Sequence, residues 1–284
     1  MTKLSWAMGL SLFAVALPAI AEDAVALKYR FSAGQVLRYQ GKQNTTIEST
    51  VSGTTQKFTS ETNSLREWRV IGVDEKGNAR LSMTIVRVHV EAKGPDGKKL
   101  SFDTEKDGEQ SPLAVVVGTP LVEVILSPTG QVVEIVESKS AAAGPFVAHV
   151  RTLLFPMPPK DVAPGTRWQH DLTLPVPAPM GKFDQVRVRQ TFGLEKVANS
   201  VATINLESAP AEEIKDRALM GRIAQFLPSG RVELDLSRGV LRSLELTLDQ
   251  KVSDFAGKDS VMQVTGSYSE VLKDDVAGVS TGRQ

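Results

Sequence analysis

Apolar and polar residues alternate with a period of two through most of this chain, the pattern of strands with one dry and one wet face. In RVELDLSRGVLRSLELTLDQ, Val232, Leu234 and Leu236 alternate with Glu233, Asp235 and Ser237, and Leu244, Leu246 and Leu248 alternate with Ser243, Glu245 and Thr247. Ser237-Arg238-Gly239 lies between the two runs, and its glycine can take the positive φ of a short loop, so the segment predicts a hairpin. VEVILSPTGQVVEIVES reads the same way around Pro128-Thr129-Gly130. Further hairpins are expected around Asp74–Asn78 and Val197–Ser200, and NTTIESTVSGTTQKFTSETNS reads as a Thr/Ser-rich strand pair. One strand changes phase. In ARLSMTIVRVHVEA the apolar positions run Leu81, Met83, Ile85 and then Val86, Val88, Val90. A bulge near Ile85–Val86 explains the flip economically; a strand facing first one core and then another is the alternative.

The order of events repeats. A glycine-led strand from Gly34 and another from Gly165 each open a series of hairpins, closed by the SPTG turn in the first half and the SRG turn in the second. The offsets differ, 131 residues from Gly34 to Gly165 but 109 from Gly130 to Gly239, so the first half carries about 22 extra residues, with AKGPDGKKLSFDTEKDGEQSP the insertion. The expected fold class is mainly β with one or two helices: two related curved antiparallel sheet modules, each covered by a helix. Phe146, Val147, Val150, Leu153 and Leu154 in GPFVAHVRTLLFP have helical spacing and predict a helix near 145–154. PAEEIKDRALMGRIAQFLP repeats that spacing with Leu219, Met220, Ile223, Phe226 and Leu227. Each helix has one apolar stripe and should lie on a sheet face. Seven of the fifteen prolines fall between Pro156 and Pro179, and a residue that lacks a backbone donor belongs in an extended linker or a protected edge strand.

The ends place the chain. MTKLSWAMGLSLFAVALPAIAED has a positive charge at Lys3, an apolar run from Leu4 to Leu17 and the small pair Ala19 and Ala21, the layout of a signal peptide cleaved after Ala21. The expected organisation is a signal peptide at 1–21, a first module at 22–155, a Pro-rich linker at 156–164, a second module at 165–273 and a disordered tail at 274–284. The expected compartment is periplasmic or extracellular. There are 33 basic and 33 acidic residues, and of these only Lys3 falls in the leader, so the mature chain has a net charge near −1. That balance gives no footprint for nucleic acid. No later apolar run is clean enough for a transmembrane helix: PLAVVVGTPLVEVIL is broken by Gly118, Pro120 and Glu123. With no cysteine, disulfides, thiolate metal sites and a cysteine nucleophile are excluded.

Catalytic signals are sparse. There is no G-x-S-x-G, and the three histidines, His89, His149 and His170, are not paired at close spacing. His170, beside Trp168, Gln169 and Asp171, is the least ordinary group, but no second ligand motif supports a metal there. The carboxylates of Asp103, Glu105, Asp107 and Glu109 lack the spacing of a calcium-binding loop, so no metal site and no cofactor are expected. Glu212-Glu213 and Asp274-Asp275 read as solvated pairs.

The ordered set PLAVVVGTPLVEVILSPTGQVVEIVES, FPMPPKDVAPGTRW and ELDLSRGVLRSLELTLDQKV resembles a broad group of exported bacterial β-rich proteins of unknown function, with a signal peptide and a proline-rich G-x-x-W signature. The resemblance transfers no activity and no functional residue. A curved sheet under an apolar helix also resembles exported lipid-carrier folds. The leading expectation is therefore a non-catalytic binding protein, its partner an apolar small molecule or an envelope protein. Phe146, Val147, Val150, Leu153 and Leu154 are the candidate ligand-binding surface. The alternatives are a structural partner of an envelope complex and a hydrolase with dispersed site residues.

Overall fold

In the computed structural model, residues 23–111, 113–136 and 155–273 are described. They form twelve strands: β1 (Val36–Val51), β2 (Thr54–Val73), β3 (Ala79–Lys93), β4 (Lys99–Asp103), β5 (Pro120–Leu126), β6 (Val132–Val136), β7 (Arg167–Pro177), β8 (Phe183–Ala198), β9 (Val201–Pro210), β10 (Ser229–Asp235), β11 (Val240–Ser253) and β12 (Val261–Lys273). All join one antiparallel sheet in the order β6-β5-β3-β2-β1-β12-β11-β10-β9-β8-β7, with β4 alongside β3. The two halves of the chain do not make separate sheets. Two hairpin meanders meet where β1 pairs β12, from Arg38 opposite Lys273 to Thr50 opposite Val261. The strand off the meander path, β4, falls in the stretch expected to be an insertion.

Local chemistry explains the hairpins. Asp235 Oδ1 accepts the backbone N–H groups of Ser237 and Arg238, both at 2.9 Å, which closes the SRG turn. Asp74 does the same for the β2–β3 turn, taking Lys76 N–H at 2.9 Å and Asn78 N–H at 2.8 Å. The phase flip in β3 is a bulge: Ile85 lies opposite Arg66, Arg87 opposite Leu65, and Val86 is the extra residue, 40% exposed. Pro175 and Pro177 sit in β7, at the sheet's edge, where missing donors break no ladder.

Most of the buried apolar side chains lie on one face. At one end, the segment before β1 crosses that face with Leu27 buried, and its backbone bonds both closing turns: Tyr29 N–H donates to Pro128 O and Arg30 N–H to Gly239 O, each at 2.8 Å. A Cβ on Gly239, whose φ is +67°, would sit 2.5 Å from Arg30 Cβ, so only glycine permits this approach. The chain returning to β7 packs there too. Phe155, Met157 and Val162 are buried, and Val25 pairs Val162. At the opposite end lies helix α1 (Arg217–Ile223), capped by Asp216 and continued by a 3-10 turn, Ala224–Phe226. Its Ile223 packs with Leu174 and Val176 of β7, while Met220 and Ala224 pack with Val252 of β11 and Val264 of β12. In a flat sheet β7 and β12 would be about 24 Å apart. A seven-residue helix is about 10 Å long, so the sheet curls around it. The first of the two expected helices, near 145–154, lies outside the described residues.

Candidate functional site

Between the two plugs the described residues leave the inner face partly uncovered, and the bulge decides what lines it. By adding one residue, β3 brings Met83 and Ile85 before the flip and Val88 and Val90 after it to the same cavity, of about 330 Å³. Leu113 and Val116 close its flank, and β1 and β2 supply a polar floor of Gln43, Thr62 and Ser64. A second cavity of about 220 Å³ adjoins it across Gln43 and Tyr268, walled by Phe226 and Pro228 after α1 and by Leu246 and Leu248 of β11. Together they form one trough, apolar at both arms and polar in the middle, with Arg66 the charge on its inner-face lining.

Below the trough lies a buried ionic cluster. Arg66 of β2 and Glu270 of β12 flank β1 from opposite sides, opposite Tyr39 and Gly41 respectively, and their side chains are 9% and 5% exposed. An Arg66 Nη2 contacts Glu270 Oε1 at 3.0 Å and donates to the Tyr268 hydroxyl, which donates to Glu270 Oε2 at 2.9 Å. Gly41 makes room for this cluster, since a Cβ there would lie 2.9 Å from the Arg66 guanidinium. Burial pushes the Glu270 carboxyl above its usual range, and the Arg66 charge pulls it partly back. Burial, and then the Glu270 charge, raise the Tyr39 phenol, which donates to Leu241 O at 3.0 Å. One atom is left over: Arg66 Nε is buried with no hydrogen-bond partner.

The two described histidines, His89 and His170, are placed apart from the trough, and His149 lies outside the described residues. His89 is held between Glu91 (3.3 Å) and Asp103 (3.2 Å) beside β4. His170 shares a row across β7, β8 and β9 with Gln190 and Ser208, and desolvation holds its imidazole below the ordinary value. Asp171 is engaged by Arg189 at 2.7 and 2.9 Å. In the 103–109 loop, Asp103 Oδ1 caps Glu105 N–H at 2.9 Å, Asp107 Oδ2 accepts Asp103 N–H at 2.8 Å and Glu105 pairs with Arg87.

The expected ligand-binding stripe, Phe146, Val147, Val150, Leu153 and Leu154, lies outside the described residues. Arg66, Tyr268 and Glu270 escaped the sequence reading, although a signal existed. Arg66 shares parity with Trp68 and Val70, and Tyr268 and Glu270 share parity with Val264, so each charge falls in phase with an apolar face.

No family model and no curated protein matches the chain. Among solved structures it is similar to DynF from the dynemicin biosynthesis pathway of Micromonospora chersina, at 9% identity over 94% of this chain and 95% of that one, with a TM-score of 0.20. It is also similar to a beta-barrel-like protein of domain of unknown function DUF1849 from Brucella abortus, at 11% identity over 86% of this chain and 100% of that one, with a TM-score of 0.22. TM-scores this low carry no argument about this chain.

Proposed function

We propose that this is an exported, non-catalytic protein that holds an apolar or amphipathic small molecule in the trough. The observation that carries this reading is the pair of adjoining cavities on the inner face, walled by Met83, Ile85, Val88 and Val90 at one arm and by Phe226, Leu246 and Leu248 at the other. Ligand pockets are concave and mostly apolar, with a few placed polar groups, and this trough has that composition. The leader at 1–21 supports export, with cleavage after Ala21. Native mass spectrometry of protein purified from the envelope of cells that export it tests both parts. The covalent mass should lack residues 1–21, and a non-covalent adduct should be lost on heating. A full-length mass would sink the export reading; an adduct-free spectrum, with no saturable binding of the uncharged dye N-phenyl-1-naphthylamine, would sink the binding reading.

The same reading includes a duplicated meander. The SPTG and SRG hairpins are each the fourth and fifth strands of their meander when β4 is set aside, and both turns bond to the segment before β1. Superposing 26–137 on 165–272 should bring the two hairpins together; unrelated positions after superposition would end the duplication.

A further inference from the structure

The trough's chemistry narrows what it can hold, an inference that rests on the binding reading above. Among the described residues that line the two cavities, Lys42 and Arg66 carry charge. Lys42 is exposed and out of phase with Gly41 and Gln43 on β1, so it belongs to the outer face. Arg66 is on the inner face, but its charge is already met by Glu270 at 3.0 Å, with Tyr268 bridging the two. The floor is thus polar, half-buried and close to electrically neutral. An anionic head group brought to Arg66 would meet Glu270 at short range and give up its own hydration, and both effects oppose it. An uncharged hydroxyl, ester or amide meets no such opposition. Gln43, Thr62 and Ser64 offer it donors and acceptors. The apolar arms run away from this centre on both sides, toward Val88 and Val90 in one direction and toward Leu246 and Leu248 in the other.

We propose that the trough selects an uncharged amphiphile, its acyl or isoprenoid-like chain lying along the apolar arms and its hydroxyl, ester or amide group over Gln43, Thr62 and Ser64. Glu270 is the specificity device: by neutralising Arg66 it removes the site's attraction for carboxylates and phosphates.

The test compares 1-monooleoylglycerol with oleate, which share an acyl chain and differ in head group, on the mature protein at about pH 8, well above the ordinary carboxylate range. Displacement of N-phenyl-1-naphthylamine, a fluorophore uncharged at this pH, reads the affinities. The glyceride should bind about tenfold tighter or more, a difference of about 1.4 kcal/mol. Glu270→Gln, which leaves Arg66 uncompensated, should raise oleate affinity about tenfold and leave the glyceride nearly unchanged. Gln43→Leu, at a half-exposed position, removes a polar partner of the head group and leaves the apolar arms in place, so it should weaken the glyceride several-fold relative to the dye. Oleate binding as tightly as the glyceride to the wild type would overturn the proposal, and so would a folded Glu270→Gln protein with unchanged oleate affinity. Dye binding with neither lipid competing would overturn the assigned class alone, whereas failure of dye and lipids together would overturn the binding reading beneath it.

Discussion

Replacing Arg66 with methionine removes one half of a buried ion pair and leaves the other half in place. Glu270 would keep its buried position with only the Tyr268 hydroxyl to solvate it, having lost its 3.0 Å contact with the guanidinium. Breaking a buried pair from one side costs about 3–5 kcal/mol, and in a domain of this size each kcal/mol shifts the melting temperature by about 2–4 °C. Arg66→Met should therefore melt about 6–20 °C below the wild type at neutral pH. The deficit should depend on pH with a definite sign. Glu270 already has its carboxyl pushed up by burial, and losing Arg66 removes the influence that pulls it back. A carboxyl raised on folding contributes stability below its unfolded value and loses it as pH rises through the folded value. The variant should thus be closest to wild type near the unfolded value and fall further behind as pH rises. The double variant Arg66→Met/Glu270→Met removes both charges and should recover most of the loss, since apolar replacement of a buried pair is often neutral or stabilising. Thermal melts of the three variants across pH, followed by circular dichroism, read all of this. A loss under about 1 kcal/mol for Arg66→Met, without pH dependence, is what an exposed pair gives, and it would refute the burial argument.

Two further outcomes follow from the plugs at either end of the inner face. Gly239→Ala places a side chain at φ +67° with its Cβ 2.5 Å from Arg30, so it should cost about 1–3 kcal/mol, whereas Gly97→Ala, also at positive φ but with nothing near, should cost less; equal denaturation midpoints would refute the close approach. Asp216→Ala removes the cap that accepts Ala218 N–H at 2.8 Å and Leu219 N–H at 3.1 Å, and should cost about 1 kcal/mol while loosening dye retention beside Phe226; unchanged stability and retention would show that α1 does not depend on this cap.

Features whose cause lies within a few residues were legible in the sequence. The SRG turn needs Asp235 to cap it and Gly239 to supply positive φ, and all of that sits in one short stretch. The bulge at Val86 announces itself as a change of phase, and the prolines of β7 announce an edge because a missing donor is tolerated there. The spacing of Met220, Ile223 and Phe226 was enough to expect an apolar face on α1. Pairing between distant segments was not legible, because a strand's alternation states which residues share a face and says nothing about which strand lies beside it. Only the tertiary structure joins β1 to β12, and that pairing turns two expected sheets into one. The same step makes the candidate site. Arg66 and Glu270 are some two hundred residues apart, each an ordinary charge in an alternating strand, until β1 pairs with both strands and brings them together from its two sides. Sequence fixes the parity of a side chain by local geometry; the partner that neutralises it is set by the long-range register, which the summed burial of the whole inner face decides.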